Sequence, residues 1–164
     1  MTPAAPKAVS SLGAVIALAV GLTWAFVSVR EFANVPDLVG VLSFSVALAV
    51  LAAAAWLIAE LSGPSKSVVA AAVIMAIGGL VAAIGNLIED GLGVKAFGAM
   101  YALGVFGVLV GLIGLVVSLA LRRRFLLAAL AAATFVGVQM SVEVGGGLLI
   151  LASWLVVAVG LRRG

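Results

Sequence analysis

Between Lys7 and Arg30, Asp37 and Glu60, Lys66 and Glu89, and Lys95 and Arg122, the chain carries no Asp, Glu, Lys or Arg. An α-helix needs roughly 20 apolar residues to cross the ~30 Å hydrocarbon core of a bilayer, and each of these runs is that long. Lipid offers no water to the backbone, so such runs fold as helices that satisfy their own N–H and C=O groups. The pattern predicts an all-α, polytopic transmembrane helical bundle.

Composition supports the choice of solvent. Of the 164 residues, 66% are hydrophobic and 9% are charged, where a soluble domain carries about 25% charged residues. A soluble fold of this size would still expose about 30% of its unfolded surface, too much for so apolar a chain. Six spans use on the order of 120 residues, leaving enough for tight loops but not for a domain outside the membrane.

The breaks are marked by charge, Gly and Pro. Residues 1–9 read as a short cytoplasmic tail and residues 10–164 as a single transmembrane domain. The first span covers about 10–29. It is longer than a signal-peptide core of 7–15 residues and lacks a small-x-small cleavage site, so it reads as uncleaved. The next spans cover about 38–61, 67–88 and 96–121. The stretch between Arg124 and Arg162 carries one charge, Glu143. As a single helix it would extend about 55 Å at 1.5 Å per residue, too long for one crossing. Reversal is expected at Glu143-Val144-Gly145-Gly146-Gly147, giving short spans at about 125–142 and 148–161. For the last, a re-entrant or strongly tilted segment is the alternative.

Charge placement orients the bundle. Six spans put Lys7, Lys66, Arg122, Arg123, Arg124, Arg162 and Arg163 on one side, with Glu60. The other side receives Glu31, Asp37, Glu89, Asp90 and Glu143, with Arg30 and Lys95. The positive-inside rule places the Arg-rich loops and both termini in the cytoplasm of a multi-pass cell-membrane protein. Five spans would split the arginine clusters. The net charge of +3 sits at helix ends, where topology accounts for it, and gives no reason to expect nucleic acid as a partner.

Helix association in lipid relies on close backbone approach between small residues. Gly104, Gly107, Gly111 and Gly114 form one stripe on the fourth helix, and Gly78, Gly79, Ala82, Ala83 and Gly85 offer small residues on the third. These faces serve packing of adjacent helices or, as the sharper option, contact with a second copy or another membrane protein. Trp24 and Trp56, near helix ends, read as interfacial anchors. Trp154, in mid-helix, reads as core with a partner for its indole N–H. Arg30-Glu31, Ile88-Glu89 and Val142-Glu143 recur near the exits of the odd helices. Three tandem hairpins would produce this, and so would ordinary topology bias.

The candidate polar site lies at the outer surface. Asn86 and Glu89 or Asp90 are three and four residues apart and share a helical face. Gln139 and Glu143 are four apart on the fifth helix, with Ser141 nearby. If the third and fifth helices are neighbours, these faces converge below Asn34 and Asp37 into an oxygen-rich pocket suited to a hard cation or a cationic group. The simpler account is that these residues end helices and face water, with Arg30 and Lys95 neutralising an acidic rim.

Several chemistries lack their residues. Cysteine and histidine are absent, which removes thiolate metal sites, the usual heme ligand and the easiest proton shuttle. No charge or proline occupies a central turn, whereas ion-coupled transporters place ionisable groups and broken helices at mid-bilayer. The expectation is a non-catalytic, cofactor-free bundle acting through intramembrane contacts as an accessory or scaffold subunit. The alternative is a small transporter or channel for a cation or cationic solute, with the acidic rim as its vestibule.

Overall fold

A computed structural model describes residues 7–30, 36–140 and 145–163, without the side chains of residues 7–10 and 163. Glu31, Asn34, Ser141 and Glu143, all considered above, lie outside the described residues. Six α-helices follow one another: α1 (Lys7–Val29), α2 (Asp37–Ser62), α3 (Lys66–Asn86), α4 (Gly98–Leu121), α5 (Phe125–Gln139) and α6 (Gly146–Arg163). No strand occurs among the described residues. Four helical segments are long and apolar enough to cross a membrane: Ser11–Val29, Asp37–Ser62, Lys66–Gly91 and Lys95–Leu121. The last two helices are apolar but shorter.

Each helix packs on its neighbours in sequence, and α6 returns to α1, so the six form a closed ring. Trp24, Leu48, Leu51, Leu57, Ile58, Met75, Leu112, Leu115, Leu119, Ile150 and Trp154 fill the interior. Outward positions are also apolar: Leu22, Leu80, Phe106, Leu126 and Val156 are all exposed. Hydrophobic all-round helices of this kind belong in a large core or in lipid.

The α3–α4 contact is built on backbone proximity. A Cβ on Gly78 would stand 2.5 Å from Val108 N, and one on Gly111 would stand 2.5 Å from Met75 N. One on Gly104 would collide with the backbone of Ala82, and one on Gly114 would stand 3.0 Å from Ala71 Cβ. Gly107 is only slightly looser, 3.1 Å from Gly78 Cα. All four members of the α4 stripe therefore lie against α3.

A second close contact joins α1 to α6. A Cβ on Gly21 would stand 3.2 Å from Leu151 Cα, and one on Gly13 3.0 Å from Leu161 Cδ1. Gly147 has no room for a Cβ beside Trp24 O, and its N–H donates to Ser28 Oγ at 2.8 Å. The spacing Gly13-x-x-x-Ala17-x-x-x-Gly21 is the sequence trace of this interface.

The chain does reverse after α5. A Cβ on Gly137 would meet Ile150, Gly146 N donates to Met140 O at 3.1 Å, and Gly145 takes φ +73°. The helix bounds differ from expectation. Helix α5 stops at Gln139 and α6 already starts at Gly146, so Gly146 and Gly147 belong to the first turn of a helix and not to the loop. The close approach of α6 to α1 requires glycine there. Helix α1 also starts earlier than expected, at Lys7.

Trp24 is a correction. It is fully buried, not an anchor at the lipid–water boundary. Ala14, Ala17, Val20, Trp24 and Val27 form the inward stripe of α1, so Trp24 must face the interior. Its ring meets Phe44 edge-on at 6.1 Å. Trp56, by contrast, is exposed.

Three hydroxyls within the helices bond to their own helix backbone. Thr23 Oγ1 donates to Ala19 O at 2.8 Å, Ser43 Oγ to Gly40 O at 2.8 Å and Ser153 Oγ to Leu149 O. Such back-bonds let a hydroxyl sit in an apolar surround.

Candidate functional site

The predicted outer site divides among three separate structural contexts. Asn86 is buried and points at α2, donating through Nδ2 to Ser45 Oγ at 3.0 Å and to Val41 O at 3.4 Å. Ser45 is itself buried. This pair ties α3 to α2 at a depth where an unpaired amide would be costly.

Glu89 does not continue the Asn86 face. After Asn86 the helix widens into a π-turn over Leu87–Gly91. Three- and four-residue neighbours share a face only in regular α-helix, and the wider turn shifts the phase. The Glu89 carboxylate lies over Gly98, the first residue of α4; a Cβ there would stand 2.6 Å from Glu89 Oε1. A carboxylate at a helix N-terminus is stabilised by the unsatisfied N–H groups and the dipole. Asp90 is exposed and pairs with Lys95 at 3.6 Å across the turn into α4.

Gln139 is exposed at the end of α5. The principal neighbours of α3 are α2 and α4, and those of α5 are α4 and α6. Asn86 and Gln139 thus belong to helices separated in the ring by α4. Glu143 lies outside the described residues. Asp37 opens α2. Among the described residues, no group of three or more Asp or Glu side chains is arranged to hold a metal ion.

Arg30 was expected to neutralise the acidic rim. Its Nη1 donates to Gly40 O, and its guanidinium lies 5.6 Å from the centre of the Phe44 ring. Phe44 continues to Tyr101, 6.4 Å away. Arg30 thus closes an aromatic row, Trp24–Phe44–Tyr101, that links α1, α2 and α4. The sequence carried a signal for Arg30, a lone cation beside an apolar run, but none for its partner.

A different polar cluster escaped the sequence reading. Leu61, at the end of α2, faces Arg123 and Arg124 of the α4–α5 turn and Phe125, Leu126 and Leu127 of α5 across a cleft of about 480 Å³. Arg123 holds φ +57°. This left-handed conformation ends a helix most comfortably with glycine. Its N–H bonds to Ala120 O and that of Arg124 to Leu119 O, both at 2.9 Å. The turn is therefore fixed with adjacent arginines at its tip. The arginines were read as topology signals, and Leu61 lies too far away in sequence to suggest a shared cleft.

Comparison of the chain with protein-family models, with curated proteins and with solved structures finds no match.

Proposed function

We propose that the chain is a six-span membrane protein with both termini in the cytoplasm, acting without catalysis as an accessory or scaffold subunit of a membrane complex. The observation that carries this reading is the division of labour among its helix faces. The glycine stripes are consumed inside the bundle: Gly104 and Gly111 against α3, and Gly21 and Gly147 against the α1–α6 contact. The outward positions carry large apolar side chains, such as Phe106 at 65% exposure and Val156 at 73%. An apolar exterior of this extent marks a lipid or partner contact surface.

The rim residues favour architecture over chemistry. Asn86 bonds to Ser45 and Asp90 pairs with Lys95, while Glu89 lies beside the start of α4. With no histidine or cysteine, acid–base work would fall to carboxylates already engaged in holding helix ends. Both short helices fit a membrane reading if the bilayer thins beside them. Helix α5, at 15 residues, is about 22 Å long by helical rise, and a short span is accommodated at modest cost.

The test is extraction of the tagged chain in mild detergent, or directly into nanodiscs. A scaffold subunit co-purifies with a stoichiometric membrane partner. Recovery of a lone monomer under several gentle conditions contradicts the proposal. The competing cation-transport reading is tested separately by flux across vesicles carrying the Glu89→Gln, Asp90→Asn, Glu143→Gln triple variant. Unchanged flux removes it.

A further inference from the structure

The cleft between the end of α2 and the α4–α5 turn has two kinds of wall. Arg123 and Arg124 supply guanidinium groups; Leu61, Phe125, Leu126 and Leu127 supply apolar surface. Leu126 is 89% exposed and Phe125 is 66% exposed. Among the described residues, the one ion pair joins Lys95 to Asp90 in the turn between α3 and α4, and no carboxylate pairs with the arginines of the α4–α5 turn.

Neither half of the cleft is explained alone. A small soluble anion would answer the guanidinium groups and leave the leucines and phenylalanine facing water. A purely apolar occupant would cover those side chains and strip water from two cations without replacing it. An amphiphile with a phosphate head and an acyl tail matches both walls. Guanidinium groups suit phosphate through paired hydrogen bonds. The positive-inside rule puts this turn at the cytoplasmic leaflet, where anionic lipids concentrate and basic pockets between helices recruit them.

We propose that this cleft binds an anionic phospholipid, with its phosphate on Arg123 and Arg124 and the first part of an acyl chain against Leu61, Phe125 and Leu127. The proposal rests on the membrane-spanning reading.

A Trp56→Phe, Phe125→Trp variant puts the reporter indole in the wall of the cleft, since Phe125 lines it and is 66% exposed. The purified full chain is reconstituted in phosphatidylcholine vesicles containing a minority of phosphatidylglycerol. In one arm the phosphatidylglycerol carries brominated chains; in the other an equal fraction of the phosphatidylcholine does. Fluorescence of a Trp56→Phe variant gives the background from buried Trp24 and Trp154.

The expected result is stronger quenching of the cleft indole by brominated phosphatidylglycerol, a local enrichment of about fivefold per arginine. Arg123→Gln with Arg124→Gln should bring the arms together, and Arg124→Gln alone should remove part of the difference. Lys66→Gln with Arg162→Gln removes the same charge from the same side without touching the cleft, and should keep the preference. Helical content by circular dichroism shows that each variant is folded. Equal quenching in both arms with Arg123 and Arg124 intact overturns the proposal. Equal loss in the two double variants does so as well, because it reports diffuse surface charge. Quenching of the cleft indole by neither lipid overturns the membrane reading itself.

Discussion

Trp154 Nε1 donates to Thr134 Oγ1 at 3.0 Å, and both side chains are fully buried between α6 and α5. Thr134 Oγ1 in turn donates to Leu130 O at 2.9 Å, so the indole is the start of a short chain that ends on the α5 backbone. This link holds the shortest helix to the last one. Thr134→Val keeps the shape and removes the acceptor. It should cost about 1 kcal/mol, within the range measured for interhelical hydrogen bonds in membranes, read from unfolding by increasing SDS in mixed micelles. Adding Trp154→Phe should cost less in the Thr134→Val background than in the native chain.

The sequence made the helices legible because their ends are chemically marked. Arg30, Pro36, Gly63-Pro64, Lys95 and Arg122 each interrupt an apolar run, and the observed bounds of α2 and α4 fall within two residues of the expected ones. The reversal after α5 was legible because one helix of that length would overshoot the bilayer. Gly146 and Gly147 were misassigned to the loop because a glycine pair reads as a breaker. Gly146 packs on Gly137 O and Met140, and Gly147 lets α6 touch Trp24 O and Ser28, neighbours more than a hundred residues away. The separation of Asn86 from Glu89 was illegible for a related reason. Nothing in Leu87–Gly91 announces a π-turn, yet that turn separates Glu89 from the Asn86 face.

Gly104 and Gly160 should respond oppositely to the same substitution. A Cβ at Gly104 falls on the Ala82 backbone, while one at Gly160 meets nothing within 4 Å. Gly104→Ala should destabilise by about 1–3 kcal/mol through forced separation of α3 and α4. Gly160→Ala should be neutral or gain up to about 1 kcal/mol from helix propensity. SDS unfolding curves of the two variants give both numbers.

Asn86 should behave as a strut between α3 and α2. Asn86→Ala should lower stability by about 0.6–1.7 kcal/mol, from the mean to the largest value measured for membrane hydrogen bonds. Ser45→Ala should add little once Asn86 is gone. Fully additive losses in a double-mutant cycle would show that the 3.0 Å contact is not what Asn86 contributes.

Glu89 and Asp90 should differ although they are adjacent. Glu89→Gln removes a charge from the start of α4 and should cost about 0.3–1 kcal/mol, decreasing with added salt. Asp90→Asn breaks an exposed pair with Lys95 and should change stability by less than about 1 kcal/mol. A double-mutant cycle with Lys95→Gln, read from thermal unfolding in detergent, separates the two: Asp90→Asn couples to it and Glu89→Gln does not.

The central claim is a six-span bundle with both ends in the cytoplasm. The native chain lacks cysteine, so single cysteines report topology without background. In sealed, right-side-out membranes, cysteines placed at positions 34, 92 and 145 should react with an impermeant maleimide from outside. Those at 65 and 123 should react only after the cytoplasmic face is opened. Position 145 decides most, because it lies at the turn between the two shortest helices. Labelling of 145 from outside is the predicted result; labelling from the cytoplasmic side alone would contradict the last hairpin and the six-span count.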